Sequence, residues 1–299
     1  MPEIACPYCG APVSYTEGDT VIMCPYCGST FAITGKPLEK HLMGRVNYTI
    51  NEVYSFFKEW ALRKPETPND LPALARLENY ELSFYPYWVY RIDASVEYEG
   101  RVSRRVVRGV EEEAVVVSVP AHKSMYGTSL ERHRFSLRGK VFFNSSYARK
   151  TGGKILNANV DEKSAWRRAL EEAVNAVLDK VRQRGVRMVS ARNVEYKLDG
   201  PYYVHIPVYR VTYSYGGSKY VFLADATDNR IIYSEIPLGA GFRALAITAS
   251  ILTLAVGVIL MLAGMAMKAP AFGATSLLTL LIVSGYVAYR GLRRKLVVK

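Results

Sequence analysis

The sequence predicts an α+β protein in three parts: a four-cysteine ribbon, a mixed α+β cytoplasmic domain and a C-terminal transmembrane helical hairpin. Three observations predict it. Two Cys-x-x-Cys pairs stand close together near the N-terminus, Cys6/Cys9 and Cys24/Cys27. A block of aromatic and β-branched strands is followed by an amphipathic helix and a second strand block. Two long uncharged apolar runs then close the chain. The boundaries fall at 1–35, 36–240 and 241–299, with 36–80 as a helical lead-in to the middle domain.

The chain has 299 residues and a formal charge of +12. That length can hold one to three units with a substantial core. The charge points to a polyanion or an anionic membrane as a neighbour. Met1-Pro2-Glu3 lacks the basic start and apolar core of a secretory signal, so no signal peptide is expected.

The ribbon comes first. Cys6-Pro7-Tyr8-Cys9-Gly10 and Cys24-Pro25-Tyr26-Cys27-Gly28 are near copies. Each pair can place two thiolates on one ion from a tight turn, with glycine where amides fold round the sulfurs. This is the spacing of a tetrahedral four-cysteine zinc site. Two disulfides or four idle thiols are the alternatives. One structural Zn2+ held by Cys6, Cys9, Cys24 and Cys27 is expected, because four protein ligands leave no open position. Free thiolates also imply a reducing compartment. Ala11–Tyr15 and Thr20–Met23, joined by Glu17-Gly18-Asp19, read as a hairpin. The ribbon holds Glu3, Glu17 and Asp19 and no Lys, Arg or His. It offers no cation to a phosphate, so nucleic-acid binding through the ribbon is not expected.

Thr49-Ile50-Asn51-Glu52 fits a capping box. Ile50, Val53, Tyr54, Phe57, Trp60 and Ala61 recur at helical spacing and read as a core-facing stripe. Pro65 stops that helix, and a short one can begin near Asp70-Leu71-Pro72. Ser83 to Tyr98 reads as strand, turning at Glu99-Gly100. Arg101, Arg104, Arg105 and Arg108 precede Glu111-Glu112-Glu113, and the spacing suggests cross-strand ion pairs. Val115–Val119 is a further strand.

Residues 121–160 carry no clear pattern. His122 and His133 have no carboxylate or cysteine at ligand spacing and read as ordinary polar residues. Arg132, Arg134, Arg138, Lys140, Arg149, Lys150 and Lys154 are opposed only by Glu131. They are candidate contacts for anionic lipid or a partner; a solvated loop is the alternative. Thr151-Gly152-Gly153-Lys154 fails as a phosphate loop, since Ala148 and Ile155 replace the glycine and hydroxyl it needs.

Asp161 reads as an N-cap and Gly185 as the residue past the C-cap of a helix. Trp166, Ala169, Leu170, Ala173, Val174, Val177, Leu178 and Val181 form its apolar face. Tyr202–Tyr215 and Lys219–Ala224 flank Gly216-Gly217, a two-residue hairpin signal. Asp228-Asn229 turns into Arg230–Tyr233. Pro207–Val211 echoes Pro86–Ile92, a weak internal repeat.

Ala244–Met267 and Ala269–Tyr289 are uncharged throughout. Each meets the roughly 20 residues needed to cross a hydrocarbon core. Arg243 precedes the first run; Arg290, Arg293, Arg294, Lys295 and Lys299 follow the second, with only Lys268 between them. The positive-inside rule puts both chain ends in the cytoplasm of a multi-pass cell-membrane protein. Phe242, Tyr286 and Tyr289 suit an interfacial belt. Ala249, Thr253 and Gly257, four apart, suit a helix–helix seam, within the hairpin or in a homo-oligomer. No Asp, Glu or His follows Glu235, which argues against ion-coupled transport.

The two CPYCG knuckles, Tyr85-Pro86-Tyr87-Trp88, Ile206-Pro207-Val208-Tyr209 and the Tyr220–Pro237 hairpin together resemble a family of bacterial and archaeal membrane proteins. That family has an N-terminal zinc ribbon and a C-terminal two-helix anchor, and is often labelled primosomal protein N′-like. The resemblance covers most of the chain apart from 121–160. Tyr209 stands where the family often has tryptophan, and Asp228-Asn229 where a glycine turn is common. It implies no catalytic residues and, for some relatives, a role as membrane anchor for envelope-stress proteins.

The sequence shows no nucleophile–base pair, no paired catalytic carboxylates and no open metal site, so an enzyme is not expected. The expected function is a membrane-anchored zinc-ribbon adaptor that docks a protein partner at the cytoplasmic face. The alternative is a membrane-tethered nucleic-acid-binding protein using the basic middle domain.

Overall fold

The computed structural model describes residues 2–291 and 295–298. Arg293, Arg294 and Lys299 of the basic tail lie outside the described residues, as does the side chain of Arg290. In chain order come β1 (Glu3–Ala5), β2 (Pro12–Ser14), β3 (Val21–Met23), β4 (Thr30–Ala32), β5 (His41–Met43), α1 (Ile50–Leu62) and α2 (Leu71–Leu74). Next are β6 (Arg76–Val102), β7 (Arg105–Pro120), β8 (Val141–Phe142), α3 (Ser145–Lys150), β9 (Lys154–Ile155) and α4 (Glu162–Gln183). Then follow β10 (Arg187–Tyr215), β11 (Ser218–Asp225), β12 (Arg230–Pro237), α5 (Ala240–Ala266), α6 (Pro270–Gly291) and β13 (Lys295–Val298). The chain is mixed α+β and divides into two units.

The first unit comprises 1–49, 81–210 and 224–232. Its frame is the long antiparallel pair β6–β7, in register from Tyr87↔Pro120 to Val102↔Arg105. The turn is therefore Ser103-Arg104, with Ser103 at φ 54°, and not Glu99-Gly100. Gly100 serves a close approach instead: a Cβ there would lie 2.5 Å from Val186 Cγ1. β6 also pairs with β10 and β9, β10 with β5 in parallel, and β5 with β8. The lead-in is thus helical only over 50–62 and 71–74. At 41–43, where helix was expected, the chain pairs as β5.

α4 covers one face of β6–β7. Ala165, Ala169, Ala173, Val177 and Leu178 pack on Trp88, Tyr90, Ile92, Ala94, Val96, Val117 and Val119. The three alanines let the helix approach the bulky aromatic strand closely. Asp161 caps the helix, its carboxylate accepting from Ser164 N at 2.9 Å, and Gly185 follows its end at φ +86°. The acids of β7 do not pair with the neighbouring arginines as the spacing suggested. Glu111 is held by Arg184, the C-cap of α4, and by Lys180 of α4, and Glu113 by Lys180. Arg108 pairs with Glu99.

The stretch 121–160 is tied down by a buried contact between His133 and Asp225. His133 Nε2 lies 3.0 Å from Asp225 Oδ2, both side chains almost fully covered. Asp225 Oδ1 accepts from Thr227 N at 2.7 Å. Burial pushes the Asp225 carboxyl up. His133, the Thr227 amide and Lys140 outweigh it and hold the group below the ordinary carboxylate range. His133 is therefore a structural anchor and not an ordinary surface polar group. A second buried contact joins His41 Nε2 and His205 Nδ1 at 2.8 Å. His205 Nε2–H donates to Leu156 O at 2.9 Å, so its Nδ1 accepts from His41. Burial lowers His205 to about 4 and His41 well below its usual value. The pair is neutral and structural.

The second unit comprises 50–80, 211–223 and 233–299. Here α1 buries Val53, Tyr54, Phe57 and Ala61. Phe57 stacks on Phe222 at 4.0 Å between ring centroids and meets Tyr213 at 5.1 Å, so the stripe is core-facing as its pattern predicts. Gly216 and Gly217 both take positive φ in the β10–β11 turn. The chain leaves β12 at Pro237 and enters α5 at Ala240. After α6 it returns as β13, antiparallel to β12 from Ser234↔Val298 to Pro237↔Lys295, with Lys295 paired to Glu235. The sequence read this segment only as a basic tail.

α5 and α6 are long and apolar enough to cross a membrane. Leu252, Ile259, Leu262, Phe272, Leu278 and Ile282 point outward along them. Their seam follows Ser250, Gly257 and Gly264, seven residues apart, with Ala246 also buried. Ser250 Oγ donates to Ser284 O at 3.0 Å and Ser284 Oγ to Ser250 O at 2.9 Å. A Cβ on Gly264 would lie 2.8 Å from the Gly273 backbone. Of the expected Ala249–Thr253–Gly257 row, Gly257 lies on this seam, against Leu277 and Leu280. Thr253 bonds back to Ala249 O instead.

Asp225→Ala lowers unfolding stability by about 3 kcal/mol or more, read by denaturant titration of Trp fluorescence. The carboxylate's contribution is complete above its unfolded pKa of about 3.9 and lost as pH falls through the lower folded value. The gap between the native chain and Asp225→Asn should therefore close below about pH 4. In the hairpin, Gly264→Leu lowers the melting temperature in detergent, whereas Gly285→Leu, which meets open space, leaves it unchanged.

Candidate metal centre

The centre is built from two matching turns. β1 and β2 pair across the first knuckle, β3 and β4 across the second. The expected hairpin between the knuckles does not form; each strand pairs across its own cysteines. Backbone bonds explain this. Cys6 N donates to Ala11 O at 2.9 Å and Gly10 N to Cys6 O at 2.9 Å. In the second knuckle Cys24 N donates to Ser29 O at 2.8 Å and Gly28 N to Cys24 O at 3.0 Å. Gly10 and Gly28 sit at φ +73° and +76°, a conformation an L side chain resists. The knuckle glycines thus turn the chain so that both sulfurs of a pair face inward.

The four Sγ atoms lie within 4.8 Å of one another. Cys6 and Cys27 are 3.7 Å apart, as are Cys9 and Cys24. Four sulfurs at ~2.3 Å from one ion would stand ~3.8 Å apart in a tetrahedron. The donor set and its spacing therefore fit a single tetrahedral ion. They do not fit disulfides, whose sulfurs bond at ~2.05 Å. Cys6 and Cys24 are buried, and Cys9 and Cys27 form the outer edge. Ser29 Oγ stands 2.9 Å from Cys27 Sγ and 3.5 Å from Cys6 Sγ. The Ser29 hydroxyl and amide together lower the Cys27 thiol pKa, which favours the thiolate a metal needs.

Among the described residues, the ribbon core apart from the sulfurs is Val13, Ile22 and Phe31, with Ile4, Tyr15 and Ile33 beside them. So small a core depends on added cross-linking. It also leans on the rest of its unit. Thr20 N and Ala158 O bond at 2.7 Å, and Val21 bridges Ala158. Arg149 donates to Pro25 O at 3.2 Å. A Cβ on Gly28 would lie 2.2 Å from Ser145 Oγ, so the second knuckle sits directly on α3. The tyrosines of the two knuckles point the other way: Tyr8 is 55% exposed and Tyr26 69%.

The seven basic residues of 130–154 divide. Arg134 pairs with Glu172 and Lys140 with Asp228, and Arg149 holds the knuckle. Arg132, Arg138, Lys150 and Lys154 are exposed. Sequence reasoning missed His133–Asp225 and His41–His205, because the partners stand 92 and 164 residues apart and no local spacing signals them. Comparison with protein-family models, with curated proteins and with solved structures gives no match.

If Ser29 tunes the centre, Ser29→Ala should weaken metal retention roughly tenfold in a chelator competition while leaving one ion per chain. Cys24→Ser should abolish retention.

Proposed function

We propose that the chain is a membrane-anchored zinc-ribbon adaptor. Cys6, Cys9, Cys24 and Cys27 hold one structural zinc, and the hairpin α5–α6 anchors the chain in the cell membrane with both ends cytoplasmic. The observation that carries this reading is the closed four-sulfur centre. It leaves no position for water or substrate, while Tyr8 and Tyr26 stand exposed on the knuckles. Aromatic side chains on a rigid turn are suited to anchoring a protein partner.

The membrane part of the reading is supported by the apolar surface of α5 and α6 and by the return of β13 to β12. That pairing brings both ends of the hairpin to one side, as an even number of spans requires. The cytoplasmic assignment rests on the basic residues flanking the spans. A place among the zinc-ribbon membrane proteins that the knuckles resemble belongs to the same proposal. The nucleic-acid alternative draws on the basic stretch of 130–154, and three of its seven cations already have partners within the chain.

Crosslinking in native membranes tests the adaptor. The native chain should give a partner band that Cys24→Ser/Cys27→Ser loses. An identical band pattern from both contradicts docking through the ribbon. Tags at the two chain ends should both be protected from external protease in intact cells.

A further inference from the structure

The arm of β6–β7 ends in an unusual composition. Arg101, Arg104 and Arg105 surround the two-residue turn, all exposed, and none enters an ion pair among the described residues. The nearest acid along the arm, Glu99, is already held by Arg108 and Arg192, each at 2.8 Å. Val102 and Val106 flank the turn, 43% and 55% exposed. Beside Gly100 runs the start of β10, whose Arg187 carbonyl would lie 3.1 Å from a Cβ there. It carries Met188, 77% exposed in a left-handed conformation at φ 51°.

We propose that this tip is an interfacial contact for an anionic lipid surface. The inference rests on the membrane reading above. Three uncompensated guanidiniums match a layer of phosphates, each able to bind two oxygens. The valines and Met188 decide between anionic partners. A nucleic acid offers phosphates and base faces, and aromatic side chains are the usual platform for the latter; the tip has none. A bilayer offers phosphates with an apolar layer just below them. Aliphatic side chains gain by entering that layer while arginines stay at headgroup level.

The test uses the full chain in lipid nanodiscs of phosphatidylcholine, with or without phosphatidylglycerol, the acyl chains brominated to quench tryptophan. Val106→Trp adds a reporter at an exposed position to the native Trp60, Trp88 and Trp166. Excess quenching over the native chain is expected in the anionic discs. Adding Arg101→Glu/Arg104→Glu/Arg105→Glu should remove it, since three reversed charges cost roughly a hundredfold or more in surface partition. Equal quenching of Val106→Trp and the native chain in anionic discs overturns the proposal. Binding of a labelled oligonucleotide that the triple reversal abolishes, with no excess quenching, overturns it in favour of nucleic acid. Failure of the chain to co-elute with the discs overturns the membrane reading and this inference with it. Co-elution without excess quenching overturns the tip alone.

Discussion

Four thiolates facing one another repel, and only a shared cation lets them stay together. On the proposed reading the N-terminal thirty residues are arranged to meet that condition. Two left-handed glycines turn the chain, two buried cysteines face the little core, and two outer ones complete the tetrahedron. Ser29 adds a hydroxyl where negative charge gathers. With few apolar side chains of its own, the ribbon holds its shape on the proposed reading through the ion, and through its seat on Ala158, Ser145 and Arg149. On the proposed reading, a centre closed by four protein sulfurs presents a surface rather than a reactive position.

The second unit solves a different problem. Two helices with apolar side chains all round expose a large hydrophobic surface along their length. Their facing surfaces are small, with serines exchanging hydrogen bonds and glycines touching, so on the proposed membrane reading attraction comes from close packing rather than from water exclusion. Only two residues, Leu238 and Gly239, separate β12 from α5, and β13 rejoins β12 after α6. The hairpin is thereby joined at both ends to one sheet edge.

Much of this was legible from local pattern. The knuckle spacing identified the four sulfurs, the alternation of Tyr and Val identified the second half of β10, from Tyr202, and β11, and uncharged length identified α5 and α6. Asp161 and Gly185 marked the limits of α4 because caps are local chemistry. What failed was non-local. Glu99-Gly100 looked like a turn, yet Gly100 is small because β10 passes close by. Glu111 and Glu113 looked committed to nearby arginines, yet a helix seventy residues later supplies the cations. His133 and Asp225 gave no signal, because a buried pair is recognised only once the fold brings its partners together. The seven-residue seam was misread as a four-residue one, since small residues at both spacings are plentiful in α5.

The central claim is that four cysteine sulfurs of one chain enclose a single zinc ion. X-ray absorption at the zinc edge, on the full chain purified from membranes, tests it most directly. The account predicts a shell of four sulfurs at ~2.3 Å with no lighter ligand. A shell containing nitrogen or oxygen donors, or a purified chain without zinc, would contradict it.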